Sequence, residues 1–365
     1  MRVFILSNTL KIGGAEKQSI ILAKALQERY ETSLIVYYGS EFDQKLKTLA
    51  ADYGVNVVWL FGSHIKRLIF IYKLFREKKN STVVFSYLAT TNFINAIIGK
   101  LAGVKYRIGG IRSSELSKSK FHLQKFLHNH LLTCSVFNNN SGKNNLCSKG
   151  FREKRAIVIH NGIDIKMIRK KRMQIKLVIN IISVGRFVEK KDYFTSVGAI
   201  ALLLKLIEDR KNVVEIKYII VGYGPLEKTI REYISKMNMN KFIDLIINPP
   251  EISEYLAQAD IYLSTSLCEG MSNSIMEAME YSLPIVATNV GDNNFLVREG
   301  YNGFLVPVKA IKDISERLFG LIYDTSLRVE MGINSYNLIK ETYSIEAFKQ
   351  NYLNFTDKLA DESET

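Results

Sequence analysis

Along the chain, short apolar runs rich in β-branched residues alternate with longer stretches whose apolar positions recur at helical spacing. In the first half the short runs are RVFILS, TSLIVYY, VNVVWLF, TVVFSY, KYRIGG, TCSVFN and AIVIHN. A second series opens with LVINIISVG and continues through VEIKYIIVG, KFIDLII, IYLSTS, LPIVAT and GFLVP. Strand, helix and strand in regular succession build a parallel sheet covered by helices. Two series therefore predict an α/β protein of two Rossmann-like, doubly wound domains facing each other across a cleft. Between the series lies NGIDIKMIRKKRMQIK, Asn161 to Lys176, polar and basic and opening on the turn dipeptide Asn-Gly, which reads as the linker. The expected division is 1–165, 166–343 and a final helix over 344–365 with Ser344 and Glu346 at its start. In open α/β sheets ligands sit beyond the carboxyl ends of the strands, so the chemistry is sought there.

Composition agrees with this layout. A chain of 365 residues with 47% hydrophobic and 24% charged side chains suits two buried cores and excludes a disordered protein. The three cysteines, Cys134, Cys147 and Cys268, are far apart and form no metal-binding spacing, which points to a reducing, cytoplasmic setting. The apolar run after Met1 ends at Ser7, short of a signal sequence, and no run approaches the roughly 20 residues that span a bilayer. Charge changes the picture more. The net charge of +14 is uneven: residues 1–165 carry +15 and the rest carry −1. One strongly basic half suits an anionic lipid surface, a diphosphate-bearing molecule or nucleic acid. No nucleic-acid reading motif accompanies the charge, so nucleic acid is not expected.

The densest candidate chemistry is CEGMSNSIMEAMEYSLPIVAT, Cys268 to Thr288, where Glu269 and Gly270 precede a helix start and Glu277 follows two turns on. One reading of SIME is a capping box, Ser274 capping the helix and Glu277 bonding back to it. The other places an anion on the backbone N–H groups at the helix N-terminus, between two carboxylates about 10 Å apart. That span suits a nucleoside diphosphate sugar, one carboxylate for sugar hydroxyls and one for ribose. SVGRFVEKKDY ends the second series' first strand and supplies Arg186, Lys190 and Lys191 to balance a diphosphate. No D-x-D occurs anywhere in the chain, so neither metal nor other cofactor is expected beyond the sugar nucleotide itself.

GRFVEKKD, VGYGPLEK, EGMSNSIMEAM, LPIVATNVGDN and GYNGFLVP, in that order, resemble the family 4 retaining glycosyltransferases of GT-B fold. KIGGAEKQ, FNNNSGK and IHNGID look like their counterparts too, so the likeness covers nearly the whole chain. It implies that Arg186 and Lys191 grip the donor diphosphate, Glu277 the ribose and Glu269 the transferred sugar. Asn273 and Ser274 would offer backbone N–H groups, and Gly13 and Gly14 would let the first helix approach the donor. The last helix would cross back to the first domain. Many relatives carry a histidine at the end of a first-domain strand. Here the region reads RIGGIRSSE, which puts Arg112 and Ser113 on the sugar or acceptor side. Of the five histidines, His64, His122, His128, His130 and His160, the three in FHLQKFLHNHLL are given packed or surface roles, and His160, just before NGID, is expected to face the cleft without a direct role. Asn248, Pro249 and Pro250 would shape the base pocket, and UDP and GDP both remain open.

The expected activity is transfer of a sugar from a UDP- or GDP-sugar to a lipid-linked glycan in surface polysaccharide synthesis, with retention. The alternatives are a sugar-nucleotide isomerase of the 2-epimerase type and a non-catalytic scaffold. HIKRLIFIYKLFREKKN combines Lys66, Arg67, Lys73, Arg76, Lys78 and Lys79 with Phe70, Tyr72 and Phe75. Its apolar groups spread around most of the helical circle, which predicts a well-buried helix with basic ends. A second reading is a surface resting on an anionic leaflet, each cation contributing about 1 kcal/mol. Lys118, Lys120 and Lys125 would add to it. The expected location is the cytoplasm, peripheral at the cytoplasmic face of the inner membrane.

Overall fold

The computed structural model describes residues 1–11, 13–77, 81–112, 116–165, 178–208, 210 and 214–364. The chain divides into two compact units, one of Met1–Asp164 with Tyr343–Thr365 and one of Ile165–Thr342. Most of the linker segment, residues 166–176, lies outside the described residues.

Unit 1 holds a seven-stranded sheet in the order β3-β2-β1-β4-β5-β6-β7, every neighbouring pair parallel. Its strands are β1 (Arg2–Ser7), β2 (Glu31–Val36), β3 (Val57–Trp59), β4 (Thr82–Tyr87), β5 (Tyr106–Ile111), β6 (Cys134–Phe137) and β7 (Ala156–Val158). Its connecting helices are α1 (Gly14–Leu26), α2 (Gln44–Asp52), α3 (His64–Arg76), α4 (Leu88–Ile94), α5 (Lys118–Phe126) and α6 (Asn140–Ser148). Strand β4 sits in the middle of the sheet with all six residues buried, as a strand covered on both faces must be.

Unit 2 repeats the plan with six parallel strands in the order β10-β9-β8-β11-β12-β13. They are β8 (Val178–Val184), β9 (Glu215–Gly222), β10 (Ile243–Ile247), β11 (Ile261–Ser264), β12 (Ile285–Thr288) and β13 (Gly303–Val306). The helices are α7 (Tyr193–Glu208), α8 (Glu227–Lys236), α9 (Ser253–Gln258), α10 (Asn273–Glu280), α11 (Asn293–Leu296), α12 (Ile311–Tyr323) and α13 (Thr325–Tyr343). In both sheets the order reverses beside the first strand, between β1 and β4 and between β8 and β11, the switch points where such sheets bind ligands.

The last helix, α14 (Ile345–Glu364), belongs to unit 1. Ser344 Oγ accepts the Ala347 N–H at 3.1 Å and caps it. Phe348, Tyr352 and Leu353 enter the core that also contains Val3, Ile5 and Val83. Gly162 makes room for this helix, since a Cβ there would stand 2.8 Å from the Phe348 Cβ.

Helix α3 differs from the well-buried element its periodicity predicts. Only Ile71 and Phe75 are fully buried, while Ile65 is 71%, Ile69 50% and Phe70 46% exposed. Lys66 and Lys73 share that outer side with them, and Phe61 stands exposed just ahead of the helix. A helix lying on one face of a sheet covers it with one stripe, and apolar residues beyond that stripe stay in solvent. Lys78 and Lys79 lie outside the described residues.

Candidate functional site

The carboxyl ends of β8, β9, β11 and β12 gather most of the charged residues singled out above. After β8 the chain passes through Gly185, Arg186 and Phe187 into a single turn at Glu189–Lys191, then reverses at Asp192 with φ 46°. The Asp192 carboxylate accepts the Thr195 hydroxyl at 2.7 Å and anchors the start of α7. Two backbone bonds tie this loop to the end of β9: Gly185 N–H donates to Val221 O at 3.0 Å and Phe187 N–H to Tyr223 O at 2.7 Å. The glycines of VGYG exist for that contact. A Cβ on Gly222 would lie 1.9 Å from Gly185 O, and one on Gly224 2.6 Å from Phe187 O.

The loop after β11 is stitched to the same place. Leu267 N–H donates to Lys190 O at 2.7 Å, and Thr265 Oγ1 donates to Asp192 O at 2.9 Å. From the far side, Thr288 Oγ1 donates to Ser266 O at 2.6 Å and Asp292 N–H to Gly270 O at 3.1 Å. Gly291 sits at φ 57°, and a Cβ there would meet Glu269 O at 2.1 Å. Four loops far apart in sequence thus fix the backbone of Glu269 and Lys191.

Their side chains meet. Lys191 Nζ lies 2.5 Å from Glu269 Oε1, which also accepts the Ser266 hydroxyl at 2.7 Å. The two side chains are 16% and 10% exposed, so the pair is largely shielded yet reachable. Arg186 and Lys190 are exposed beside it. Beneath lies a floor of buried tyrosines: Tyr262 donates its hydroxyl to Val184 O at 3.3 Å, and Tyr218 shares a 2.8 Å bond with Ser183. Burial pushes the Tyr218 phenol up to about 12 and raises those of Tyr193 and Tyr262, so all three stay neutral.

Helix α10 begins at Asn273 with Ser272 as its N-cap, and no side chain caps it. Its first intrahelical bond runs from Met276 N–H to Ser272 O, leaving the N–H groups of Asn273, Ser274 and Ile275 at the mouth of the helix. The capping-box reading of SIME therefore fails: Ser274 is inside the first turn, and Glu277 stands two residues beyond Ile275, the position from which a side chain bonds back to the cap. Glu277 is exposed on α10, as is Asn273. Asn248 follows β10 at φ 42° and donates its N–H to Gly222 O at 2.9 Å, which brings it and the following prolines to the β9 loop.

In unit 1, Gly13 is the N-cap of α1 and Gly14 its first residue, with open space where a Gly14 Cβ would stand. Gln18 of the same helix holds Gly162 by both backbone groups, at 2.7 and 3.1 Å. Arg112 donates to Asn161 Oδ1 at 2.9 Å and to the Tyr352 hydroxyl at 3.3 Å, with its guanidinium 4.3 Å from the Tyr87 ring centroid. These contacts hold it against α14. Ser113 lies outside the described residues. His128 is fully buried between Ser135 Oγ and Arg152 O, and His160 bonds to Asn138 O and packs on Tyr343. Among the described residues no group of three or more His, Cys, Asp or Glu is arranged to hold a metal ion. No helix among them is long and apolar enough to cross a membrane.

Sequence reasoning missed Ser266, the tyrosine floor and the role of Gly291. Each depends on which loops meet, and the one signal was the run of small hydroxyl residues, Ser264–Thr265–Ser266, which ends three positions before Glu269.

Comparison with known proteins bears on the same segment. Residues 166–338 match the family described as glycosyl transferases group 1. The chain is 24% identical over 306 residues to the capsular polysaccharide biosynthesis glycosyltransferase CapH of Staphylococcus aureus, covering 80% of this chain and 83% of that one. It is equally similar, 24% over 306 residues, to an Escherichia coli UDP-Gal:alpha-D-GlcNAc-diphosphoundecaprenol alpha-1,3-galactosyltransferase, covering 77% and 78%. Among solved structures, Anabaena HepE in complex with UDP superposes with a TM-score of 0.78 at 18% identity, over 98% of this chain and 100% of that one. The family match on unit 2, the long alignments to named glycosyltransferases and the two-sheet fold make this chain a glycosyltransferase of GT-B architecture.

Proposed function

We propose that the chain transfers a sugar from a UDP-sugar, with retention of configuration, to a glycan carried on a lipid diphosphate. The observation that carries this is the shielded Lys191–Glu269 pair beside Arg186, at the carboxyl ends of unit 2 and next to the bare N-terminus of α10. The uridine and the lipid-linked acceptor are supported by the names of relatives, one acting from UDP-Gal on a diphosphoundecaprenol-linked sugar and another solved with UDP.

Arg186 and Lys191 hold the diphosphate together with the N–H groups of Asn273 and Ser274. Glu277 takes the ribose hydroxyls, and Glu269, steadied by Ser266, takes hydroxyls of the transferred sugar. Gly270 keeps the approach to α10 clear. The acceptor hydroxyl attacks the anomeric carbon on the face from which the diphosphate departs. The bond from that carbon to phosphate oxygen breaks, the glycosidic bond forms, and the acceptor proton goes to a leaving phosphate oxygen. Charge grows on the diphosphate in the transition state, where two cations and a helix N-terminus act most strongly. They supply this charge in place of a divalent ion, so chelation by EDTA leaves turnover unchanged.

The exposed face of α3, with Ile65, Ile69 and Phe70 beside Lys66 and Lys73, rests on an anionic leaflet and keeps the enzyme at the cytoplasmic membrane surface. It lies in the half of the chain that carries +15.

The test is thermal stabilisation of the full chain by UDP, GDP, ADP and their sugar conjugates, with product analysis. UDP and one UDP-sugar should raise the melting temperature, and Glu277→Ala should weaken that binding by about 1–3 kcal/mol. Equal response to all nucleotides, or an unchanged affinity in Glu277→Ala, would overturn the donor assignment. A changed sugar still attached to nucleotide would make the protein an isomerase.

A further inference from the structure

Four half-buried arginines of unit 1 hydrogen-bond to the protein. Arg2 pairs with Glu31 and Glu77, Arg107 and Arg155 bond to backbone carbonyls, and Arg112 bonds to Asn161 and Tyr352. Arg67, also half-buried, differs. Its guanidinium lies 5.3 Å from the Tyr37 ring centroid and 5.0 Å from that of Tyr38, and it makes no hydrogen bond or ion pair with any described residue. Its Nε, like those of Arg2 and Arg112, is shut off from solvent without a partner.

Two aromatic faces hold the cation without using its N–H groups, which keeps the fork of donors available. The position is telling. Tyr37 and Tyr38 are the first residues after the carboxyl end of β2, and Arg67 is in the first turn of α3, where the helix dipole is also positive. Tyr38 N–H donates to Asn8 O at 2.9 Å, which brings the end of β1 alongside. Tyr37 is itself fixed by a 3.1 Å bond between its hydroxyl and His64 Nδ1. The nearby carboxylate of Glu41 is paired to Lys11. A preorganised guanidinium with no carboxylate of its own, at the ligand-binding edge of a doubly wound sheet, is an anion site, and its fork matches a phosphate.

We propose that Arg67, seated on Tyr37 and Tyr38, binds the diphosphate of the lipid-linked acceptor. This rests on the acceptor assigned above. The outer side of α3 carries the exposed apolar residues and Lys66, so the helix that meets the leaflet also presents the arginine that reads the lipid's head.

The experiment is titration of the full chain in detergent, with UDP saturating unit 2, using farnesyl diphosphate and farnesol as probes. Wild type should bind the diphosphate well above the alcohol. Arg67→Ala should weaken farnesyl diphosphate tenfold or more, leave farnesol and UDP binding unchanged and keep the melting temperature. Arg67→Lys should recover part of the loss. Equal loss for both farnesyl probes would reduce Arg67 to a packing role and overturn the proposal. Unchanged diphosphate affinity together with weaker binding to phosphatidylglycerol vesicles would also overturn it, because the contact would then be with general lipid headgroups. Failure of wild type to bind UDP would count against the donor reading and leave this comparison readable.

Discussion

The two sheets have the same construction, yet the loops at their carboxyl ends treat charge in opposite ways. In unit 2 the lysine is already matched: Lys191 sits on Glu269, Glu269 on Ser266, and glycines without room for a Cβ clamp the backbones together. In unit 1 the cation at the carboxyl edge rests on aromatic rings and finds no carboxylate among the described residues, and an added Gly14 Cβ would meet nothing within 4 Å. A clamped site is set for a ligand of fixed shape, here a sugar nucleotide. An unspent cation on rings suits a ligand whose anionic group arrives on a variable, mobile carrier.

The largest effect is expected at Lys191. Lys191→Ala should lower turnover by about 10²–10³-fold, as removal of one transition-state donor does, with a smaller loss in UDP affinity. Equal losses in steady-state kinetics and in binding would mean that the lysine only grips the ground state. The glycines come next. Gly291→Ala places a Cβ 2.1 Å from Glu269 O at φ 57°, and should cost about 1–3 kcal/mol in a denaturant titration. Gly14→Ala, with nothing within 4 Å, should change stability by less than about 0.5 kcal/mol. A loss of activity in that stable variant would mark close approach of a ligand to the backbone.

Membrane attachment should respond more gently. Lys66→Gln and Lys73→Gln should each weaken binding to anionic vesicles by about 1 kcal/mol, read by sedimentation at low salt. Binding that ignores both substitutions and salt would exclude an electrostatic contact. The smallest effect concerns pH. All five histidines, His64 through His160, lie in unit 1. His128 is held neutral, because Arg152 O can only accept and so fixes the proton on Nε2, and burial lowers its pKa. Above about 6.5 the imidazole is neutral in both the folded and unfolded states. As pH falls from there towards the lowered folded value, the unfolded chain binds a proton that the folded one refuses, and unit 1 loses stability. Hydrogen exchange at pH 7.0 and 5.5 should show faster opening in unit 1 only. An equal change in unit 2, which has no imidazole, would exclude His128 as the cause.

Every strand was legible in the apolar runs, because a parallel sheet buries both faces and leaves few polar interruptions. Lengths were less so. VNVVWLF shortened to Val57–Trp59 and AIVIHN to Ala156–Val158, both edge strands that pair along one side only. In the candidate site the charges could be read, since Arg186, Lys191, Glu269 and Glu277 lie next to strand ends and a helix start. Ser266 and Gly291 could not, because their roles arise where loops distant in sequence touch. Of the two readings of the helix start, the capping box placed it two residues late: Ser272 and Ser274 both suit a cap, and local sequence does not choose between them. Helix α3 misled for a related reason, as spacing records which residues are apolar and says nothing of how wide a stripe the neighbouring sheet can cover.

The placement of α14 has a consequence for the order of events during synthesis. The core that contains Val3 and Ile5 also contains Phe348, Tyr352 and Leu353. All of unit 2 is translated between those two sets of residues. On the ribosome unit 2 can therefore close while unit 1 still waits for its last helix, the reverse of the usual order in which the leading domain folds first.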